Sequence, residues 1–417
     1  MNVFKFHLKI IIQFGFVITF ISSLSAKNID QFNDENYISN YFSGVIYLNE
    51  NNYKESYKNF DKLKGLEENH SNYSSKYLYS LVNSGRIKDA YKYSKKLEQK
   101  NLANFESDLI IGIFYLKEKQ LSLAKKYFLK LKNRNSGFLL SEFISESLLN
   151  WTTFSNLDLL SSQKKLNNLD SRFENLKNIQ NVFLQCFHNS SNTDLFYKKL
   201  TSDPNTDFSR YNYFYVKYLI NAGETEKARQ FLNFSLTLYP RNLLLNQLKI
   251  DLIDKKIKNS FNCQNQSHIV AEILYITANA LSSQSFYIFS NFYINLSKYL
   301  NDDFQSFDTL LAENFYKISN YEVAKVIYTE IGKHGDAYLW YATKQNARIL
   351  LKENKKEKAL KLLSKAYEKI LTKNIYETYD YADFLKNNEK FTASIKFYTE
   401  LLDKIEPNHS LFPKVLE

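Results

Sequence analysis

Proline and glycine are scarce, at 4 and 9 residues in a chain of 417. So few turn-formers exclude a loop-rich β architecture and leave helices joined by short turns. Cysteine is as rare. Cys186 and Cys263 are the only two, 77 positions apart, and their spacing leaves open both a disulfide and two unpaired thiols. A disulfide would require an oxidising compartment. His7, His70, His188, His268, His334 and His409 include no pair at metal-ligand spacing; an isolated Cys186-x-His188 reads as two loop residues. G-x-S-x-G, G-x-x-x-x-G-K and G-x-G-x-x-G are all missing. Carboxylate pairs such as Glu67-Glu68 and Asp302-Asp303 fall in expected loops, where solvated ends are the plain reading. These absences predict no catalytic residues, no cofactor and no metal.

Long apolar runs are nearly absent too. The exception is Ile10 to Ile21, IIIQFGFVITFI, preceded by Lys5, His7 and Lys9 and followed by Ser22-Ser23-Leu24-Ser25-Ala26. A basic start, a short apolar run and small residues describe a secretory signal cleaved after Ser25 or Ala26. The run is short for a membrane span and contains Gln13, so an uncleaved anchor is the weaker alternative. No cysteine lies at the cleavage point to take a lipid. Net charge is +11 and the pI about 9.1. The charges are interspersed and no Arg-rich tract occurs, which favours a solvated lysine surface over nucleic-acid binding.

What is present is a repeat. Gly44, Leu78 and Gly112 are 34 residues apart, and so are Ser56, Ala90 and Ala124. Tyr47, Leu81 and Tyr115 hold the same register, as do Phe60, Ser94 and Phe128. Within a unit, Tyr37 to Asn49 reads as a buried helix and Tyr53 opens a second with a seam at Tyr57, Phe60 and Leu63. Two helices joined by so short a turn must lie antiparallel. The small residues mark where their backbones approach, and the aromatics fill the gaps between pairs. The template recurs at Val216, Gly223 and Ala228; at Ala312, Phe315 and Ala324; at Ala347 and Ala359; and at Ala382 and Ser394. Seven places after the first small residue come Asn51, Gly85, Gly223 and Asn354, with Asn320 and Asn388 one place away. Asn and Gly accept the left-handed conformation that ends a helix in a tight turn.

On these residues the chain resembles the tetratricopeptide repeat superfamily, with Pro240 and Pro407 at unit ends. The resemblance implies an all-α, right-handed α-solenoid of antiparallel helix pairs. The expected organisation is a signal at 1–26, a polar lead at 27–36 and three regular units at 37–138. Degenerate pairs follow at 139–304 with one regular unit at 209–241, then three regular units at 305–407 and the start of another at 408–417. The segment IKNSFNCQNQSH (Ile257 to His268) reads as the most exposed loop, and the helices at Ile269–Leu281 and Phe286–Leu300 as lacking the small-residue template. No polar capping helix closes the array, which predicts a fragment of a longer repeat protein. With its signal, Trp151 and the stretch WYATKQNARILLKENKKEKALKLL, the chain looks like the exported repeat proteins of alphaproteobacteria, which implies the periplasm.

In such solenoids the first helices line a concave groove, and that the groove holds the ligand is implied by the resemblance. Helical periodicity puts groove residues about six and three places before the small residue and one after it. They are Arg210, Tyr213 and Lys217; Tyr341, Lys344 and Arg348; and Tyr376, Tyr379 and Asp383. Lys344 and Arg348, one turn apart, would point the same way and hold a carboxylate or phosphate. The expected function is a non-catalytic protein-interaction scaffold of the bacterial cell envelope, holding an extended peptide or partner helix. The alternative is a carbohydrate- or peptidoglycan-engaging helical module, or the helical arm of an envelope enzyme complex, with Tyr341, Tyr376 and Tyr379 as stacking platforms.

Overall fold

In a computed structural model the described residues are 35–134, 139–202, 207–370 and 373–416; the expected signal at 1–26 lies outside them. Every regular element among the described residues is a helix. The chain divides into two compact units, Met1–Ile111 and Gly112–Glu417, with the division inside the helix Phe105–Lys117.

In the first unit, α1 (Glu35–Asn49) pairs with α2 (Tyr53–Asp61) and α3 (Ser71–Asn83) with α4 (Ile87–Gln99), before α5 (Phe105–Lys117) begins. A Cβ on Gly44 would lie 2.7 Å from the Phe60 ring, so this close approach admits only glycine. The Ser56 hydroxyl donates to the Gly44 carbonyl at 2.8 Å, tying the two helices where they touch. Glu67 corrects one expectation: it is buried, not a solvated loop end. Burial alone would raise its pKa. Lys96 and Lys100, with the backbone N–H groups of Glu67 itself and Gly65, hold it at about 2 instead.

The turn between paired helices follows one rule in both units. Seven places after the small residue the backbone is left-handed, at Asn51, Gly85, Lys119, Gly223, Ser285, Ser319, Asn354 and Glu389, with φ between 57° and 81°. The next N–H then reaches back five residues, as from Asn52 to the Tyr47 carbonyl (2.8 Å) and from Lys390 to that of Leu385 (3.0 Å). Ser319 and Glu389 take this conformation rather than their neighbours Asn320 and Asn388. Asn320 instead caps the following helix, its side chain accepting from the Val323 N–H. Register sets the turn, and side-chain preference adjusts to it.

The second unit continues with α6 (Leu121–Asn133), α7 (Leu139–Trp151), α8 (Leu159–Asn167), α9 (Glu174–Phe187), α10 (Thr193–Thr201), α11 (Ser209–Asn221) and α12 (Thr225–Leu238). Next come α13 (Leu243–Ile253), α14 (Gln266–Ser283), α15 (Tyr287–Leu300), α16 (Ser306–Lys317), α17 (Tyr321–Ile331), α18 (Asp336–Lys352), α19 (Lys356–Lys369), α20 (Ile375–Asn387), α21 (Phe391–Leu402) and α22 (Phe412–Leu416). The close approach recurs: a Cβ on Gly112 would meet Phe128 at 2.3 Å. So does the hydroxyl tie, from Ser290 to the Ala278 carbonyl and from Ser394 to that of Ala382, each 2.8 Å. The α14–α15 pair therefore carries the small-residue template it was expected to lack. Ala278 and Ser290 stand 34 residues before Ala312 and Ala324.

One pair is broken. α13 makes the usual turn, with Lys255 left-handed and the Lys256 N–H bonded to the Asp251 carbonyl, yet no second helix follows. Residues 256–262 run without regular structure. α14 then packs on α7, far from it in sequence, with Gln266 bonded to the Trp151 carbonyl and Ser267 to that of Leu116. α13 is left to pack on α18, where the Gln247 side chain accepts the Ala337 N–H at 3.1 Å. A strict nearest-neighbour array contains no such contacts.

Candidate binding face

The nine residues expected to line a groove divide by helix. On α11 the structure corrects the expectation of an open face. Arg210 forms a bidentate pair with buried Glu272 of α14, Nε to Oε1 at 2.6 Å and Nη2 to Oε2 at 2.8 Å. Its guanidinium also donates to Ser306 and lies 4.0 Å from the centre of the Tyr275 ring. Tyr213 is buried, its hydroxyl 2.9 Å from that of Ser260 and its ring stacked on Phe304. Lys217, only 2% exposed, donates to the Lys258 carbonyl at 2.6 Å. Burial pushes its ammonium down to about 8, against a weaker opposing pull from Asp251.

The cover is the segment that replaced the missing helix. Ser260 and Phe261 are buried, and Phe261 packs edge-on against Phe214 and beside Phe183. Cys263 is bonded to Cys186 of α9, with the two Cα atoms 5.9 Å apart. The loop read as most exposed is thus held down at its centre over α11.

On α18 and α20 the face is open. Lys344 of α18 and Arg241, just before α13, converge on Asp380 of α20; Arg241 Nη1 lies 2.5 Å from Oδ1 and Lys344 pairs with Oδ2. Asp380 is mostly buried, while the Arg241 side chain is 50% exposed. The guanidinium sits 5.5 Å from the Tyr376 ring centre and 5.8 Å from that of Tyr379, within cation–π range. The Lys344 ammonium is 5.7 Å from the Trp340 ring. Arg241, Lys344, Asp380, Trp340 and Tyr376, with Tyr341, border a cleft of about 80 Å³.

Three expected members take other partners, Tyr341 although it borders the cleft. Arg348 does not act with Lys344: it bonds Gln345 at 2.7 Å and lies over Tyr316. The Tyr341 hydroxyl donates to Glu313, and burial with the nearby Glu313 charge pushes its phenol far above the usual range. Asp383 accepts from Asn387 on its own helix. Arg241, Trp340 and Asp380 were missed. Arg241 follows Pro240 at a unit end, outside the first-helix register that selected the others, and only packing of α13 on α18 brings it in.

Among the described residues no group of three or more His, Cys, Asp or Glu is placed to hold a metal ion. No helix among them is long and apolar enough to cross a membrane.

No family model and no curated protein matches this chain. Among solved structures it is similar to the P58(IPK) TPR domain, at 15% identity over 89% of this chain and 95% of that one, with a TM-score of 0.24. It is also similar to yeast Tom70, at 13% identity over 90% and 91% of the two chains, with a TM-score of 0.25. At that level of superposition the likeness bears on neither ligand nor partner. The helix-pair fold rests on the turns and interhelix ties described above.

Proposed function

We propose that this chain is a non-catalytic protein-binding scaffold of the bacterial envelope, exported to the periplasm. It holds an extended peptide or partner helix across the open face of α18 and α20. The observation that supports this reading is the pairing of Arg241 and Lys344 on the single carboxylate of Asp380. Two cations share one anion at the mouth of a cleft, and the half-exposed guanidinium is already oriented by two tyrosine rings. A partner carboxylate can join or displace Asp380 with little reordering, which favours binding. The carbohydrate reading needs free aromatic faces, and Tyr376 and Tyr379 already lie close to Arg241.

The test compares the mature chain with an Arg241→Glu/Lys344→Glu variant of equal melting temperature. A partner captured from envelope extract by the first, then purified and titrated against both, is expected to bind the variant at least tenfold more weakly. Equal affinity would move the site off this face. Recovery of the native protein in the cytoplasmic fraction would remove the periplasmic part of the reading.

A further inference from the structure

We infer that the chain carries a second site, for an anionic single-chain amphiphile, in the hollow between α13, α18 and α19. The hollow measures about 670 Å³, against about 80 Å³ for the cleft at Asp380. That falls within the ~300–1,000 Å³ of cavities that enclose small molecules. Ile250, Ile253, Leu339, Leu362, Ala366 and Ile370 form its aliphatic lining. Ile253 is 70% exposed, Leu339 50% and Leu362 37%, so the molecule leaves to water an apolar surface that a hydrocarbon chain would cover.

Two polar features set the ligand's chemistry. Lys365 and Lys369 lie one turn apart at the border of the hollow, exposed and without a carboxylate in ion-pair range among the described residues. The acids of the same hollow are otherwise engaged. Asp254 pairs with Lys256 at 3.3 Å, and Asp336 opens α18, where the helix N-terminus stabilises it. Glu377 accepts the Asn374 N–H at 3.0 Å. The two lysines stand together on α19, whereas the three acids are spread over the end of α13, the start of α18 and α20, so the lysine pair marks one border of the hollow that fits a carboxylate or phosphate head. The second feature is Trp340, 6% exposed, whose Nε1 has no hydrogen-bond partner. A buried donor without a partner is costly, and an oxygen of an entering ligand would satisfy it. A peptide would bring backbone N–H and C=O groups into a lining that offers few partners for them. An alkyl chain brings none.

This inference is independent of the peptide-binding reading although Trp340 and Glu377 border both spaces; the variants that discriminate between them, at Lys365, Lys369 and Ile253, line only the larger hollow and leave Arg241, Lys344 and Asp380 untouched. Dodecanoate, kept below its micellar range, is titrated calorimetrically into the full chain, and bromododecanoate is used to quench tryptophan emission. Saturable one-to-one binding is expected, with quenching lost in Trp340→Phe because Trp151 is fully buried elsewhere. Affinity should fall at least tenfold in Lys365→Glu/Lys369→Glu, whereas dodecanol should be insensitive to that change. Ile253→Glu, at a site exposed enough to leave the melting temperature unaltered, should abolish binding. Non-saturable uptake, or equal affinity for all variants, overturns the inference. So does a hollow that takes a helical peptide but no amphiphile.

Discussion

The α11 face and the α18–α20 face occupy the same register of the repeat and carry similar residues, an arginine or lysine flanked by tyrosine. On α11 the chain has laid its own segment 257–263 and α14 over them: Tyr213 and Lys217 became core, and Arg210 became half of a mostly buried ion pair. On α18 and α20 no such segment closes over them among the described residues, and Lys344 and Tyr376 border an open cleft. The difference comes from one missing helix. After α13 the turn forms but the second helix does not, and the freed segment finds its partners on the neighbouring first helix. Whether a face binds a partner or its own chain is therefore settled several elements away from it.

The largest effect that would sharpen this contrast is at the buried pair. Glu272→Ala leaves Arg210 charged and uncompensated in the core, and should cost about 3–5 kcal/mol of unfolding free energy in urea titration. A cost below about 1 kcal/mol would show that water reaches Arg210 and that the α11 face is not closed.

Next is the staple. Cys186→Ser/Cys263→Ser should cost about 2–4 kcal/mol. Amide exchange should quicken over 257–263 and leave α18 and α20 unchanged. Uniform quickening would mean that the disulfide supports the whole unit rather than the cover alone.

Lys217 should reveal its burial through pH. With its folded value lowered from 10.5 to about 8, both folded and unfolded states are protonated below pH 8 and the burial penalty is felt in full. Between about 8 and 10.5 the folded state sheds its proton first, the unfolded state binds more protons, and stability rises with pH. The gain should approach about 2 kcal/mol by pH 9.5. Comparison with Lys217→Met, which lacks this gain, isolates it from the titration of tyrosines. Parallel pH profiles would mean that Lys217 is solvated. The smallest effect belongs to the open face. Asp380→Asn should shift stability by about 1 kcal/mol or less, because half-exposed Arg241 can turn to water.

Much of this was legible beforehand, and particular residues show where legibility stopped. Gly44 with Phe60 and Gly112 with Phe128 could be paired from spacing, because helix contacts repeat with the chain's own period. The left-handed turn could be placed from Asn51 and Gly85. At 319 and 389 residue preference pointed one place away, to Asn320 after the first and Asn388 before the second, since helix geometry fixes the turn whatever side chain stands there. Ala278 and Ser290 carried the template in full register, yet the aromatics around them masked it. Arg241 gave no signal at all: its meaning depends on α13 meeting α18, some ninety positions on.

The sequence by itself determined the local units: which residues are helical, where pairs turn, and which small side chains let backbones touch. Those are short-range consequences of periodicity and sterics, and they hold wherever a pair ends up. Tertiary structure alone decided that Cys186 meets Cys263, that Arg210 finds Glu272 and that Lys344 shares Asp380 with Arg241. Each of those joins residues 36 to 139 positions apart, and all but the Lys344–Asp380 pair, which spans about one repeat, follow from the departure at Lys256, where the chain left its own period.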